Sequence, residues 1–406
     1  MNLIYSRSCL AIIASAGSGP EYGLPGVGKT ARQLPQTFRC GSHVLRHWLY
    51  RPWVRKQIRF STWNSRAWTF QEAALSPRRL YFTDYFALFE AGDHRDRGLE
   101  SCIEGSTDCR SSLFMPAWRF DMNELWYVST YVHRCLSVEA DVFCAFQGFQ
   151  THLNDVSSDT YLMYGLEVDT KECDLSRALW WCIPHPIERL QERRKAPSWT
   201  WLGWRISSKW PHAAWWVVNS FYLGASVRYV GSAKLSLVYD DDYVFPWGTM
   251  TREQMVKLTS DRDDGSIKSL IANGWTFSVQ DLLSPPPEDD SINPFKEDNP
   301  DARDKLARPS LVEKLERAFA FYGLHADQIS DPRKALCLVL GSVHLAQGKP
   351  SDIVSENPGL LILVVASTDQ GETWQRVEAL YVEGKTELVD CQWAAFGWVK
   401  RKLRIY

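Results

Sequence analysis

Between Ser65 and Leu80 the chain reads Ser-Arg-Ala-Trp-Thr-Phe-Gln-Glu-Ala-Ala-Leu-Ser-Pro-Arg-Arg-Leu, a helix and its stop in one short run. Asn64 or Ser65 can serve as N-cap, accepting from the open amides of the first turn. Thr69 and Glu72 also stand at capping-box spacing, so the sequence leaves the first helical residue open. Helical spacing puts Trp68, Glu72 and Leu75 on one face and Arg66, Phe70, Ala73 and Ala74 on another. Pro77 ends the helix, and Arg78 to Phe82 opens an extended, aromatic-rich segment. Trp68 is expected to be the core anchor, so Trp68→Ala should cost about 3–5 kcal/mol. Glu72 is the one carboxylate with a case for acid–base chemistry, if the indole desolvates it. Pairing with Arg66 or Arg78, or capping of nearby backbone, is the preferred structural reading.

The 406 residues carry a formal net charge of -2, with a sequence pI of about 6.5. No global field favours nucleic acid or an anionic membrane. Basic runs at 51–59, 189–195 and 400–404 are short and read as solvated faces or strand ends. Nineteen tryptophans against six methionines suggest a core built on large rigid rings, since base or sugar stacking would want basic residues interleaved with exposed aromatics. The ten cysteines include no close Cys-x-x-Cys pair. Met1 to Ala16 lacks a basic leader region, and no run reaches the ~18 apolar residues of a membrane span. Reduced thiols and a cytoplasmic location are the expectation.

Along the chain, Met1 to Ser8 suits the last turns of a helix, and Cys9 to Ala14 a buried strand. Residues 79–91 read as one or two strands. Helical periodicity returns at 120–135, 139–149 and 175–193, the last broken or kinked by Pro184 and Pro186. Beyond Pro197, aromatic or β-branched runs at 199–205, 213–219, 226–240, 335–343, 359–367, 374–382 and 392–405 suggest a β-rich second half. Ser284 to Asp304 is acidic and Pro-rich and is expected to be a disordered insertion. A helix is expected at 310–322, with Ser310 and Glu313 at capping-box spacing. The domain reading is therefore 1–150 and 151–406.

Gly23-Leu-Pro-Gly-Val-Gly-Lys-Thr30 matches the phosphate-binding loop pattern Gly-x-x-x-x-Gly-Lys-Thr. That geometry needs a strand ending at the first Gly and a helix starting at the Lys. Here the apolar run stops near Ala16, Pro35 follows Thr30 closely, and Leu235 to Asp240 is a remote partner for it. Loop shaping by Gly and Pro is the preferred reading, with ATP binding through Gly23 to Thr30 as an alternative. Cys40, His43 and His47 have zinc-ligand spacing but lack a fourth ligand. His94-Arg95-Asp96 echoes a kinase catalytic loop, with Ser101 where Asn is required.

Arg66, Trp68, Thr69, Gln71, Glu72, Leu75, Ser76 and Arg78 together resemble the Arg-x-Trp-Thr-x-Gln-Glu-x-x-Leu-Ser-x-Arg signature of the fungal heterokaryon-incompatibility (HET) domain. Ile4-Tyr5, Ala14-Ser15 and Gly23-Leu24-Pro25-Gly26 resemble that family's preceding blocks in order. The resemblance covers about 1–91. Weaker echoes follow at Asp141 to Gly148 and Tyr164-Gly165-Leu166, and Pro197-Ser198-Trp199-Thr200-Trp201-Leu202-Gly203-Trp204 resembles the family's Pro-Ser-Trp-Ser-Trp-x-Gly-Trp. The family's leading Trp-Ile-Asp-x-x-Cys block is not in this sequence, so an N-terminally truncated domain is expected. The resemblance implies an α/β fold, a TIR-like or flavodoxin-like remnant, followed by a mixed β-rich region. It implies a signalling and interaction role in self/non-self recognition and programmed cell death, with pathway proteins or self-assembly as partners and no cofactor. An inactive, truncated form of that role is the accompanying alternative. TIR-like NAD hydrolysis in a complete form is the rival; the chain itself leans away from an enzyme, and no catalytic residue is assigned.

Overall fold

The computed structural model describes residues 2–33, 37–46, 51–91, 100–103, 126–157, 160–169, 175–179, 181, 187–193, 196–206, 227–231, 233–247, 253–254, 267–279, 334–345, 359–369, 373–383 and 399–406. The expected insertion at 284–304, the helix at 310–322, the strand at 213–219, His47 and His94 to Asp96 lie outside them. The chain divides into two compact units, Met1–Val156 and Ser157–Tyr406. No helix among the described residues is long and apolar enough to cross a membrane.

The first unit runs α1 (Asn2–Ser6), β1 (Ala11–Ala14), β2 (Thr37–Cys40), β3 (His43–Arg46), α2 (Arg51–Arg59), α3 (Thr62–Ser65), α4 (Thr69–Leu75), β4 (Arg78–Phe82), β5 (Ala87–Ala91), β6 (Glu100–Ile103), α5 (Trp126–Tyr131) and α6 (Cys144–Val156). Strands β1, β4, β5 and β6 form one sheet in that order. Only β1–β4 is parallel, with Ile12 beside Leu80; β4–β5 and β5–β6 are antiparallel. A parallel pair needs a crossover, and α2 to α4 supply it. On the sheet's inner face Ile13, Tyr81 and Leu88 pack with Val54 and Ile58 of α2, Trp63 and Ala73. Val54 and Ile58 stand one helical turn apart, enough to seat α2 in an otherwise polar segment that the sequence reading passed over.

Strand β1 departs from the expected doubly buried form. Ile13 is buried, but Ile12 is 62% exposed, because β1 is the sheet's edge and Ile12 points to the opposite face.

The signature helix also starts later than expected. Ser61, not Asn64 or Ser65, is the N-cap, and it caps the separate turn α3 by accepting from the Asn64 amide at 3.1 Å. Arg66 is extended, and α4 then begins at Thr69 with no side-chain cap on Trp68. Trp68 is therefore ahead of the helix rather than on its inner face, and it is 36% exposed. The buried indole is Trp63, 9% exposed, edge-on to Tyr81 at 5.8 Å between centroids. Phe70, in the first turn of α4, is fully buried among Tyr131, Phe146 and Phe149. Each such ring pair contributes about 0.5–1.5 kcal/mol beyond area burial.

The second unit contains β7 (Thr160–Met163), β8 (Leu166–Asp169), α7 (Leu175–Ala178), β9 (Ile187–Glu188), β10 (Arg205–Ile206), β11 (Val227–Gly231), β12 (Lys234–Tyr239), β13 (Val244–Trp247), β14 (Ile267–Ser278), β15 (Ala335–Leu345), β16 (Gly359–Asp369), β17 (Thr373–Glu383) and β18 (Val399–Ile405). Within an eight-stranded sheet, β14 to β18 close into a five-stranded barrel: neighbours in sequence pair, and β18 returns to β14. An odd count forces one parallel seam, found at Trp374–Ile405. The apolar runs of β15 and β16 are buried continuously from Ala335 to Leu340 and from Ile362 to Val365. The expected helix at 175–193 is reduced, among the described residues, to α7, the two-residue strand β9 and a 3-10 turn at Gln191–Arg193.

Trp63→Ala and Phe70→Ala should each cost about 3–5 kcal/mol, whereas Trp68→Ala should cost less than about 1 kcal/mol. Urea unfolding of the three variants checks the order.

Candidate functional site

The signature residues act through backbone and ring contacts. They tie α3 and α4 to the segment before α6. Backbone pairing comes first: the Ala67 amide donates to Cys135 O at 2.9 Å, and the Cys135 amide to Ser65 O at 2.6 Å. Arg134, buried beside this bridge, completes it. Its guanidinium donates to Arg66 O and Thr69 Oγ1, both at 3.0 Å, and to Asn64 Oδ1 at 2.6 Å, and lies 5.3 Å from the Phe70 ring centre. Burial pulls this guanidinium down to about 9, which leaves it charged at neutral pH. Thr69 Oγ1 also lies 2.6 Å from Trp63 O and 2.8 Å from Arg66 O, and its one proton serves one of them at a time.

Gln71 is buried and reaches α6, where Nε2 donates to Ala145 O at 2.8 Å and Cys144 O at 3.2 Å. Its Oε1 lies against Gly148, so close that a Cβ there would stand 2.0 Å from it. Glu72 is half-buried. Trp63 Nε1 donates to Oε2 at 2.9 Å and the Tyr5 hydroxyl to Oε1 at 3.4 Å, so the expected pairing with Arg66 or Arg78 gives way to an indole and a phenol. Burial first, then the Glu72 charge, hold the Tyr5 phenol above its ordinary range.

Leu75 and Ser76 are buried, while Arg66 and Arg78 are exposed. The neighbouring Arg79 turns inward instead: its guanidinium donates to Ala73 O and lies 3.5 Å from Glu90 Oε2, both side chains buried. Burial, with Glu90 next, holds the adjacent Tyr81 phenol well above its ordinary range, and Arg79 partly offsets this. The sequence reading missed Trp63, Arg79 and Arg134. Arg79 alone had a signal, its alternation with Arg78 in a strand.

The Gly23 to Thr30 string folds back on itself. The Gly26 amide donates to Thr30 O at 2.9 Å, the Val27 amide to Leu24 O at 3.1 Å, and Thr30 Oγ1 to Tyr22 O at 2.6 Å. Pro25 is buried, its carbonyl taken by Arg32, and Gly26 has φ +82°, a left-handed conformation that glycine adopts without strain. No helix starts at Lys29, and Leu235 to Tyr239 lies in the antiparallel strand β12. The Gly26, Val27 and Gly28 amides, which would cradle a phosphate, are spent on the loop's own carbonyls. Cys40 and His43 pair across the β2–β3 hairpin and are exposed. Among the described residues no three of His, Cys, Asp and Glu gather as a metal site would need.

In the second unit Pro197 to Trp204 is a buried knot, not the expected half-buried strand. Every residue from Pro197 to Trp204 is buried, and three indole N–H groups end on carbonyls: Trp181 on Trp199 O at 3.0 Å, Trp201 on Gly165 O at 2.9 Å and Trp204 on Ser198 O at 2.7 Å. Ser198 donates its amide to Tyr406 O at 2.8 Å, and its hydroxyl accepts from the Arg376 amide at 3.2 Å. The Arg376 guanidinium, fully buried over the Trp181 ring, donates to Leu179 O and Trp181 O. Trp199 packs edge-on to Tyr164 at 5.7 Å. Tyr164 and Gly165 form the two-residue turn of β7–β8, with φ +51° and +74°, a pair of signs that a type I′ hairpin requires. Gly203 leaves room for the Arg189 guanidinium, which donates to Gly203 O at 3.0 Å.

The sequence model of the family described as Heterokaryon incompatibility protein (HET) matches residues 1–72. Residues 1–72 are thus similar to a HET domain. The match ends inside the signature, at Glu72. No curated protein and no solved structure matches the chain. Within residues 1–72, Thr69 and Gln71 donate to backbone carbonyls of their own unit, and Glu72 accepts from the Trp63 indole.

Gly148→Ala should destabilise the first unit by about 1–3 kcal/mol through overpacking against Gln71. Adding Gln71→Ala should recover part of that loss, and a double-mutant cycle in urea measures the coupling.

Proposed function

We propose that this chain is a signalling and interaction module of fungal self/non-self recognition, in the class that triggers programmed cell death when incompatible hyphae fuse. The HET match supports the class. The observation that carries the interaction reading is the outer face of the first unit's sheet. Register places Ile12, Leu80 and Phe89 in one cross-strand row, with Ile12 and Phe89 exposed. A row of large apolar side chains open to water is a mark of protein contact. Pathway proteins or further copies of the chain are the partners in this reading. A TIR-like α/β ancestry accords with the parallel pair β1–β4 and its helical crossover.

Expressed in a fungal host, the protein should provoke death on fusion with an incompatible strain. Ile12→Asp with Phe89→Asp should abolish that response while leaving the thermal midpoint within a few degrees. A response unchanged by the pair would sink the interaction reading. Purified protein incubated with NAD should release no nicotinamide; release would favour the NAD-consuming hydrolase instead.

A further inference from the structure

Strand β18 reads Val-Lys-Arg-Lys-Leu-Arg-Ile, and its pairing decides where the cations go. Lys402 stands opposite Asn273 of β14, and Asn273 stands opposite Lys234 of β12. Leu403 and Ile405 are buried, so alternation turns Lys400, Lys402 and Arg404 to the other face. Lys400, Lys402, Asn273 and Lys234 are all exposed. The acidic counterweight sits at one end only. Asp242, in the β12–β13 turn with exposed Asp240 and Asp241, lies 3.2 Å from Lys268 and 3.8 Å from Arg404. Lys402 and Lys234 have no ion pair among the described residues. The result is a polarised stripe, neutralised at the Arg404 end and, among the described residues, uncompensated at the Lys402–Lys234 end, on a chain whose net charge is -2.

We propose that this stripe docks an acidic peptide segment of a partner protein. Side chains of one face of a strand repeat at about 6.6–6.8 Å, the repeat at which an extended peptide presents every second carboxylate. Lys234 widens the row by two strand spacings, about 9–10 Å, and lets a carboxylate be held from both sides. Nucleic acid fits less well. Single-strand binding wants open aromatic platforms, whereas Trp275 is buried beneath the Lys400 ammonium, 4.9 Å from its ring centre. Tyr406 is likewise faced by Arg404 at 5.3 Å.

The test titrates the whole chain into fluorescein-labelled octaglutamate at low salt and follows anisotropy. Saturable binding is expected, weakened roughly tenfold or more by Lys402→Glu with Lys234→Glu and lost progressively as salt rises. Lys56→Glu with Arg59→Glu, exposed positions of α2, changes net charge equally and should leave affinity within about twofold. Neutral Lys402→Gln with Lys234→Gln gives the same ranking should the reversal variant lose its cooperative melt. Equal losses in both charge-reversal pairs, no binding by the unaltered chain, or tighter binding of octathymidylate would each overturn the proposal.

Discussion

Buried guanidinium groups hold the irregular backbone of both units. Wherever the chain leaves a helix or ladder inside the protein, it strands carbonyl oxygens, and an unmet buried acceptor costs about 1–3 kcal/mol. Arg134 closes that gap between the signature and α5, Arg79 at the end of α4, and Arg376 behind α7. Arginine suits the task because its flat group offers five donors in a fixed fork and stays charged when desolvated. Stacking on Phe70 and Trp181 gives two of these groups an apolar bed as well. Lysine, a single compact charge, cannot span the same carbonyls.

That arrangement explains why the signature is so dense in polar letters. Thr69, Gln71 and Glu72 face inward, yet each is matched to a backbone group or an indole N–H. The Trp-rich stretch of the second unit follows the same logic with the roles exchanged. The rings of Trp201 and Trp204, with Trp181 beside them, fill volume while their N–H groups serve backbone carbonyls. Large rings with one polar handle are well suited to such places.

Much of the scaffold was legible in advance. Pro77 stopped the helix, Arg78 to Phe82 formed a strand, and the apolar runs that became β15 and β16 read correctly because they are long and rich in aliphatic residues. Trp68 misled because periodicity says which residues share a face but not where the helix begins. An extended residue at Arg66 moved the start and handed the anchoring role to Trp63. Strand β14, absent from the expected runs, carries the turn-type pair Asn273-Gly274 in its interior. Here Gly274 instead gives room for Leu338 and Ala233, which a Cβ would meet at 3.0 and 3.2 Å. Pro197 to Trp204 alternates large and small residues like a strand, but its partners come from distant segments that composition alone does not reveal.

The closure of the barrel bears on how much length the chain can absorb. Strands β14 and β15 meet over three residue pairs, Thr276–Leu338 to Ser278–Leu336, after the long connection from Ser278 to Ala335. The entropy of joining two chain ends grows only logarithmically, so doubling that connection would add about 0.6 kcal/mol. A longer or recast excursion there would thus leave the hoop of strands behind it intact.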